Sequence, residues 1–122
     1  MKLYQITESE LEIMKVLWKL NSATSAQIIE SLEGESDWKP KTIQTLITRL
    51  VAKEAIEVDK SNKKSYIYYP NVSEEQYKSY ANDSFLKKLY NGSINLMLSS
   101  FIKDKKLSQD EINDLKKLLD DE

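Results

Sequence analysis

The sequence predicts a mainly α-helical protein in which three helices and a β-hairpin precede three further helices. Apolar residues recur at helical spacing in six segments of the 122-residue chain, and an alternating segment lies between the third and the fourth. Glycine and proline number two each, which is too few for the many turns of an all-β sandwich or barrel. With 40% hydrophobic and 31% charged residues, the composition is that of one or two small globular domains.

The first two helices are predicted from their start and stop signals. Residues 7–10 read Thr-Glu-Ser-Glu, a capping box that begins a helix over Glu8–Leu20. Thr24 or Ser25 caps a short second helix that extends to Leu32, and Gly34 ends it because the residue after a helix often adopts a positive φ.

The third helix begins at Pro40 in the first helical position and ends near Glu54. Its apolar residues form one narrow stripe, namely Ile43, Leu46, Ile47 and Leu50. The other faces carry Lys41, Thr42, Gln44, Thr45, Thr48 and Arg49. No acidic residue lies between Pro40 and Lys53, as a surface that faces phosphates requires.

A β-hairpin with a basic tip follows the third helix. Residues 56–59 alternate as a strand does, residues 60–64 form a polar turn, and residues 65–69 are rich in β-formers. Residues 39–69 hold seven basic and three acidic side chains, a local charge of +4 in a chain of net charge −2. Three helices followed by a hairpin constitute the winged helix-turn-helix arrangement, whose third helix enters the major groove of DNA.

We therefore expect residues 1–71 to form a DNA-binding domain. The expected contacts from the third helix are Lys41, Thr42, Gln44, Thr45, Thr48 and Arg49. The expected contacts from the hairpin are Lys60, Lys63, Lys64 and Tyr68, whereas Tyr66 and Tyr69 are expected to pack within the hairpin, and Trp18 and Trp38 within the core.

Residues 72–122 are expected to form a three-helix dimerisation domain. Residues 96–102 carry apolar side chains around most of one helix, which must then be buried nearly all round. In a chain this small the expected partner is a second copy, and an ordinary intramolecular core is the alternative. The expected dimer contacts are Phe85, Leu89, Ile94, Met97, Leu98, Phe101, Ile102, Ile112, Leu115 and Leu119.

The composition favours a binding protein over an enzyme. The chain contains neither Cys nor His, so disulfides, thiolate or imidazole metal ligands and a Ser-His-Asp triad are excluded, and no metal or cofactor is expected. No apolar run approaches 18 residues and the first residues do not resemble a signal peptide, so we expect a cytoplasmic protein without membrane insertion.

The third helix also resembles a known family. Residues 38–50 read Trp-Lys-Pro-Lys-Thr-Ile-Gln-Thr-Leu-Ile-Thr-Arg-Leu, which is similar to the recognition-helix signature of the BlaI/MecI family of penicillinase and methicillin-resistance repressors. Further matches lie at residues 12–14, at Trp18, at residues 28–30 and at residues 107–112, so the resemblance covers essentially the whole chain.

The resemblance implies a homodimeric transcriptional repressor that binds inverted-repeat operator DNA ahead of β-lactam-resistance genes. It implies DNA contacts by Lys41, Thr42, Thr45 and Arg49, while Gln44 stands where the resistance repressors usually carry Arg. It further implies relief of repression by a membrane sensor-protease, which cuts an Asn-Phe bond that aligns with Ser100-Phe101 here.

Two other functions remain open at this point. One is a winged-helix regulator of another regulon with a non-proteolytic inducer. The other is a protein-interaction module in which the hairpin and the third helix bind a partner protein. A steep fall of duplex-DNA affinity with salt would distinguish both regulators from the interaction module.

Overall fold

A computed structural model describes residues 5–120 of the chain, with side chains for residues 5–118. The predicted mainly α-helical class is confirmed, because the described residues form six helices and one small three-stranded sheet. The chain divides into two compact units, the first ending at Lys78 and the second beginning at Ser79. This division lies within a helix, beyond the domain boundary that we expected after residue 71.

The first unit has the order of elements expected of a winged helix-turn-helix. Its elements are α1 (Glu8–Leu20), β1 (Ala23–Thr24), α2 (Ser25–Leu32), α3 (Pro40–Ala52), β2 (Ile56–Asp59) and β3 (Ile67–Pro70). The strands are ordered β1-β3-β2 and both pairs are antiparallel, with Val58 of β2 opposite Tyr68 of β3. Strand β1 was missed by the sequence analysis, because two residues have no periodicity and only their pairing with β3 makes them a strand.

Side-chain caps fix where α1 and α2 begin. The amide of Glu10 donates to the Thr7 hydroxyl at 3.2 Å, and the amide of Thr7 donates to the Glu10 carboxylate at 3.0 Å, as the predicted capping box requires. Thr24 and Gln27 form the same reciprocal pair at the start of α2. Gly34 has a φ of +80°, which accounts for glycine at the end of α2.

One hydrophobic core holds the first unit together. It includes the whole predicted stripe of α3, and its members are Ile13, Met14, Leu17, Ala23, Ile28, Leu32, Ile43, Leu46, Ile47, Leu50, Ala55, Ile56, Tyr68 and Val72. Trp18 and Trp38 pack against this core as expected. The Trp18 indole N–H donates to the carbonyl of Val72 at 2.9 Å, so the polar group of this core-packing side chain has a hydrogen-bond partner.

The remaining helices are α4 (Glu74–Tyr90), α5 (Ile94–Lys103) and α6 (Gln109–Asp120). From Ser73 to Leu118 no described side chain is fully buried. Within the described residues, no helix combines the length and the apolarity that crossing a bilayer requires.

Candidate nucleic-acid interface

Helix α3 presents a polar surface because its opposite side is anchored in the core. Burial of the apolar stripe turns five of the six predicted contact residues outward, namely Lys41, Thr42, Thr45, Thr48 and Arg49. Gln44 is half-buried at the edge of this surface. The first turn of α3 contains no acidic residue, and Arg49 lies in its last turn.

A cleft of about 370 Å³ lies between this helix and the hairpin. Its lining comes from the start of α2, from α3 and from the hairpin, and consists of Thr24, Ser25, Ala26, Gln44, Lys63, Lys64, Ser65, Tyr66 and Tyr68. The fold thus brings Gln44 and two lysines of the hairpin to one open cavity, although some 20 residues separate them in the chain. Two lysines in a cleft beside the exposed side of α3 attract a polyanion such as DNA.

The hairpin tip has a defined turn that presents these lysines. Both the amide and the hydroxyl of Ser61 donate to one oxygen of Asp59, at 2.9 and 2.6 Å. These hydrogen bonds lower the pKa of Asp59, so its side chain accepts as a carboxylate. The amide of Lys64 donates to the Asn62 side chain at 3.0 Å. Two successive side-chain turns therefore order the segment in which Lys63 and Lys64 lie.

Lys60, the third predicted lysine of the hairpin, has a different environment. Its ammonium lies 5.7 Å from the centre of the Tyr66 ring, which is the geometry of a cation–π contact. Lys60 does not line the cleft with Lys63 and Lys64. The contact of Lys60 with Tyr66 joins two parts of the hairpin and stabilises it.

Tyr68 requires a correction among the predicted site residues. It is only 8% exposed and belongs to the core, because the alternation along β3 turns it inward and turns Ile67 and Tyr69 outward. This burial leaves little of the Tyr68 side chain available to contact a phosphate. Tyr66 and Tyr68 both line the cleft, and Tyr66 exposes more of its surface than Tyr68 does.

Two threonines of α3 direct their hydroxyl groups at their own helix. The Thr45 hydroxyl donates to the carbonyl of Lys41 at 3.0 Å, and the Thr48 hydroxyl donates to the carbonyl of Gln44 at 2.9 Å. Such bonds to the carbonyl four residues earlier are frequent for threonine in helices. Both side chains remain exposed.

An ion pair between half-exposed Lys53 and buried Glu10 links the end of α3 to the start of α1, and no local sequence pattern indicates it. The ammonium of Lys53, the C-cap of α3, donates to Glu10 at 2.5 Å and to the carbonyl of Gln5 at 2.7 Å. Glu10 is 1% exposed. Burial by itself raises the pKa of Glu10, but hydrogen bonds from Lys53 and Thr7 and the charge of Lys53 together lower it below its usual value.

None of the predicted dimer contacts whose side chains are described is fully buried in the second unit. Exposed among them are Phe85, Leu89, Ile94 and Ile102, whereas Met97, Leu98, Phe101, Ile112 and Leu115 are half-buried. The side chain of Leu119 lies outside those that the structure describes. Leu96 and Leu118 are also exposed and were not among the predicted contacts. Ser100 and Phe101, the predicted cleavage pair, both lie inside α5 and are half-buried.

Comparison with known proteins places these features in a family. The family profile described as penicillinase repressor matches residues 6–121. The penicillinase repressor of Bacillus licheniformis is 40% identical over 120 residues, covering 98% of this chain and 93% of that protein. The methicillin resistance regulatory protein MecI of Staphylococcus aureus (strain N315) is 40% identical over 118 residues, covering 97% of this chain and 95% of that protein.

A solved structure matches the first part of the chain. It is the solution structure of the monomeric form of Bacillus licheniformis BlaI in complex with the blaP half-operator. The identity is 42% and the TM-score is 0.54, and the match covers 62% of this chain and 92% of that one.

Proposed function

The chain belongs to the penicillinase repressor family, and on that premise we propose that it represses transcription by binding operator DNA through α3 and the hairpin. The observation that carries the proposal is the continuity between the acid-free outer side of α3 and the cleft lined by Gln44, Lys63 and Lys64. The related BlaI domain is described in complex with a half-operator, which supports the same use of this unit here.

The two parts of the surface have different tasks in this proposal. Helix α3 lies in the major groove, where Arg49 and Gln44 have the side-chain groups that pair with guanine and adenine edges. Lys63 and Lys64, together with Lys41 and Thr42, contact the sugar-phosphate backbone and fix the register of α3. Lys60 and Tyr68 contribute by supporting the hairpin.

The second unit joins two copies of the chain. Its helices expose large apolar side chains, with Leu89 at 63% and Leu118 at 66%, and a second copy is the partner that would cover them. The resulting homodimer reads two half-sites that are related by the same twofold axis, which makes an inverted repeat the expected operator. The names of the relatives support β-lactam-resistance genes as the targets.

Proteolysis of the second unit would relieve this repression. A cut between Ser100 and Phe101 divides α5 and removes α6, and with it much of the apolar surface of the unit. Both residues lie within a helix, so a protease that binds extended chain needs local unfolding of α5 first. A membrane sensor-protease is the partner that we propose, acting on a repressor in the cytoplasm, where the DNA lies.

Selection from a randomised duplex library tests the proposal. The full chain should enrich an inverted-repeat consensus, and the enriched duplex should bind far more tightly than a random duplex of equal length. A variant with Lys41, Arg49 and Lys63 replaced by Ala should enrich nothing. If the wild-type chain also enriches no sequence, α3 does not read bases and the interaction-module alternative takes precedence.

A further inference from the structure

The hydrogen bonds of Thr45 and Thr48 limit what these side chains can offer to DNA. Each hydroxyl carries a single proton, which is already donated to a carbonyl of α3. Phosphate oxygens only accept hydrogen bonds, so neither threonine can bind the DNA backbone by donating in this conformation. The free groups of each side chain are the γ-methyl and the lone pairs of the hydroxyl oxygen.

Both threonines lie near the centre of the outer side of α3. At 3.6 residues per turn, positions 45 and 48 are opposite the buried stripe that includes Leu46, Ile47 and Leu50. The hydroxyl of each donates to the carbonyl four residues earlier and both residues are exposed, so the γ-methyl is an apolar group that each can offer to a ligand. The centre of this surface therefore offers two methyl groups beside the Lys41 side chain, and Arg49 and Gln44 flank it.

We propose that Thr45 and Thr48 determine specificity by packing their methyl groups against the C5-methyl groups of thymines in the major groove. The inference rests on the proposed function, namely that α3 enters that groove. Thymine is the base that places a methyl group there, and a threonine methyl is an apolar partner for it. Cytosine at the same position would place its exocyclic amino group against a methyl and lose a hydrogen bond to water.

Substitution of thymine by deoxyuridine tests the inference on the full chain. The duplex enriched from the randomised library is remade with one thymine at a time replaced, which deletes only the methyl group. Wild type should bind about fourfold more weakly at the two or so positions per half-site that face Thr45 and Thr48, since one buried methyl is lost. Thymines elsewhere in the duplex serve as controls and should show no change.

Matched substitutions then separate the methyl group from the hydroxyl. Thr45→Val and Thr48→Val keep the methyl and should keep both the affinity and the uracil penalty. Thr45→Ser and Thr48→Ser keep the hydroxyl and should bind the thymine duplex about as weakly as wild type binds the uracil duplex. The serine variants should show no further loss at the corresponding uracil.

The outcomes distinguish this inference from the proposed function. Equal wild-type affinity for thymine and uracil duplexes at every position overturns the methyl contact, although operator binding then still stands. The methyl contact is also overturned if the valine variants lose affinity and the serine variants keep it, because that pattern assigns the recognition to the hydroxyl oxygen. If wild type binds no selected duplex, the proposed function fails and this inference fails with it.

Discussion

Individual side chains of α3 differ in what they can offer to DNA, and the difference depends on which side of the helix they occupy. Arg49 and Leu50 are neighbours in the chain, yet Arg49 is exposed and Leu50 is completely buried. The apolar stripe was sufficient to predict this difference from the sequence. The inward orientation of Tyr68 was not predictable, because residues 65–69 are uniformly β-forming and only the pairing with β1 and β2 sets which of them face the core.

Arg49→Ala should weaken operator binding by about 1–3 kcal/mol if Arg49 makes a bidentate contact with a base. The thermal unfolding midpoint should stay close to that of wild type, because the side chain is exposed. Leu50→Ala is the contrasting control and should cost about 2–5 kcal/mol of stability. A gel shift together with a melting curve measures both, and unchanged operator affinity in Arg49→Ala would exclude the contact.

The ion pair of buried Glu10 with Lys53 makes the free energy of unfolding depend on pH in a defined direction. The pKa of Glu10 is lowered by folding, so its stabilisation is fully present above the unfolded pKa and is lost as the pH falls through the folded pKa. Wild type should therefore lose stability below about pH 4.5, the unfolded value, and Glu10→Gln should lose less over the same range. Urea unfolding at a series of pH values measures how the free energy of unfolding of each protein changes with pH. Equal pH dependence of wild type and Glu10→Gln would contradict a lowered pKa of Glu10.

Removing the partner of Glu10 should be costly even at neutral pH. Lys53→Met leaves a carboxylate buried without its ammonium, and we expect a loss of about 1–3 kcal/mol in the free energy of unfolding. Lys15→Met is the matched control, because the pair of Lys15 and Glu12 is exposed on both sides and should contribute under about 0.5 kcal/mol. Equal losses in the free energy of unfolding for the two substitutions would show that the pair of Glu10 and Lys53 stabilises the fold no more than an exposed pair does.

At the scale of elements, the sequence predicted those whose ends carry their own signals. The capping box at residues 7–10 predicted the start of α1, a Thr24 or Ser25 cap and Gly34 predicted the bounds of α2, and Pro40 predicted the start of α3. The structure agrees with these predictions. Strand β1 and the pair of Glu10 and Lys53 depend on residues more than 40 positions apart, and no local pattern reports such contacts. The cleft between α3 and the hairpin was beyond prediction for the same reason.

The hairpin should contribute affinity that does not depend on DNA sequence. Lys63→Ala should weaken binding to operator and to random duplex about equally, and should reduce the slope of log affinity against log salt by about one. Lys116→Ala in α6 is the control of equal charge and should leave both unchanged. Loss of affinity for the operator alone would mean that Lys63 reads a base.

At the scale of the whole molecule, the proposed repression requires that two copies of the chain bind one operator. Each first unit has a complete core of its own, whereas the described side chains of the second unit have none. The apolar side chains over residues 96–102 predicted a second copy as the partner, and the dimer stays a prediction. A dimer binds two half-sites at a high effective concentration, and a single copy loses that gain.

A chain that ends at Ser100 should behave as a monomer. It lacks Phe101, Ile102 and α6, and we expect it to sediment as a single copy at micromolar concentration while the full chain sediments as a dimer. It should also release the operator at near-physiological salt. If the shortened chain still dimerises and binds, cleavage of the bond between Ser100 and Phe101 cannot relieve repression.

Salt titration of operator binding by the full chain tests most directly whether α3 and the hairpin form a DNA-binding surface. A dimer that contacts several phosphates through its lysines releases counterions on binding, so its affinity should fall on the order of 1,000-fold between about 50 and about 200 mM salt. The selected operator should bind more tightly than a random duplex at every salt concentration. Affinity that is independent of salt, or equal for the two duplexes, would contradict the assignment of this surface to DNA.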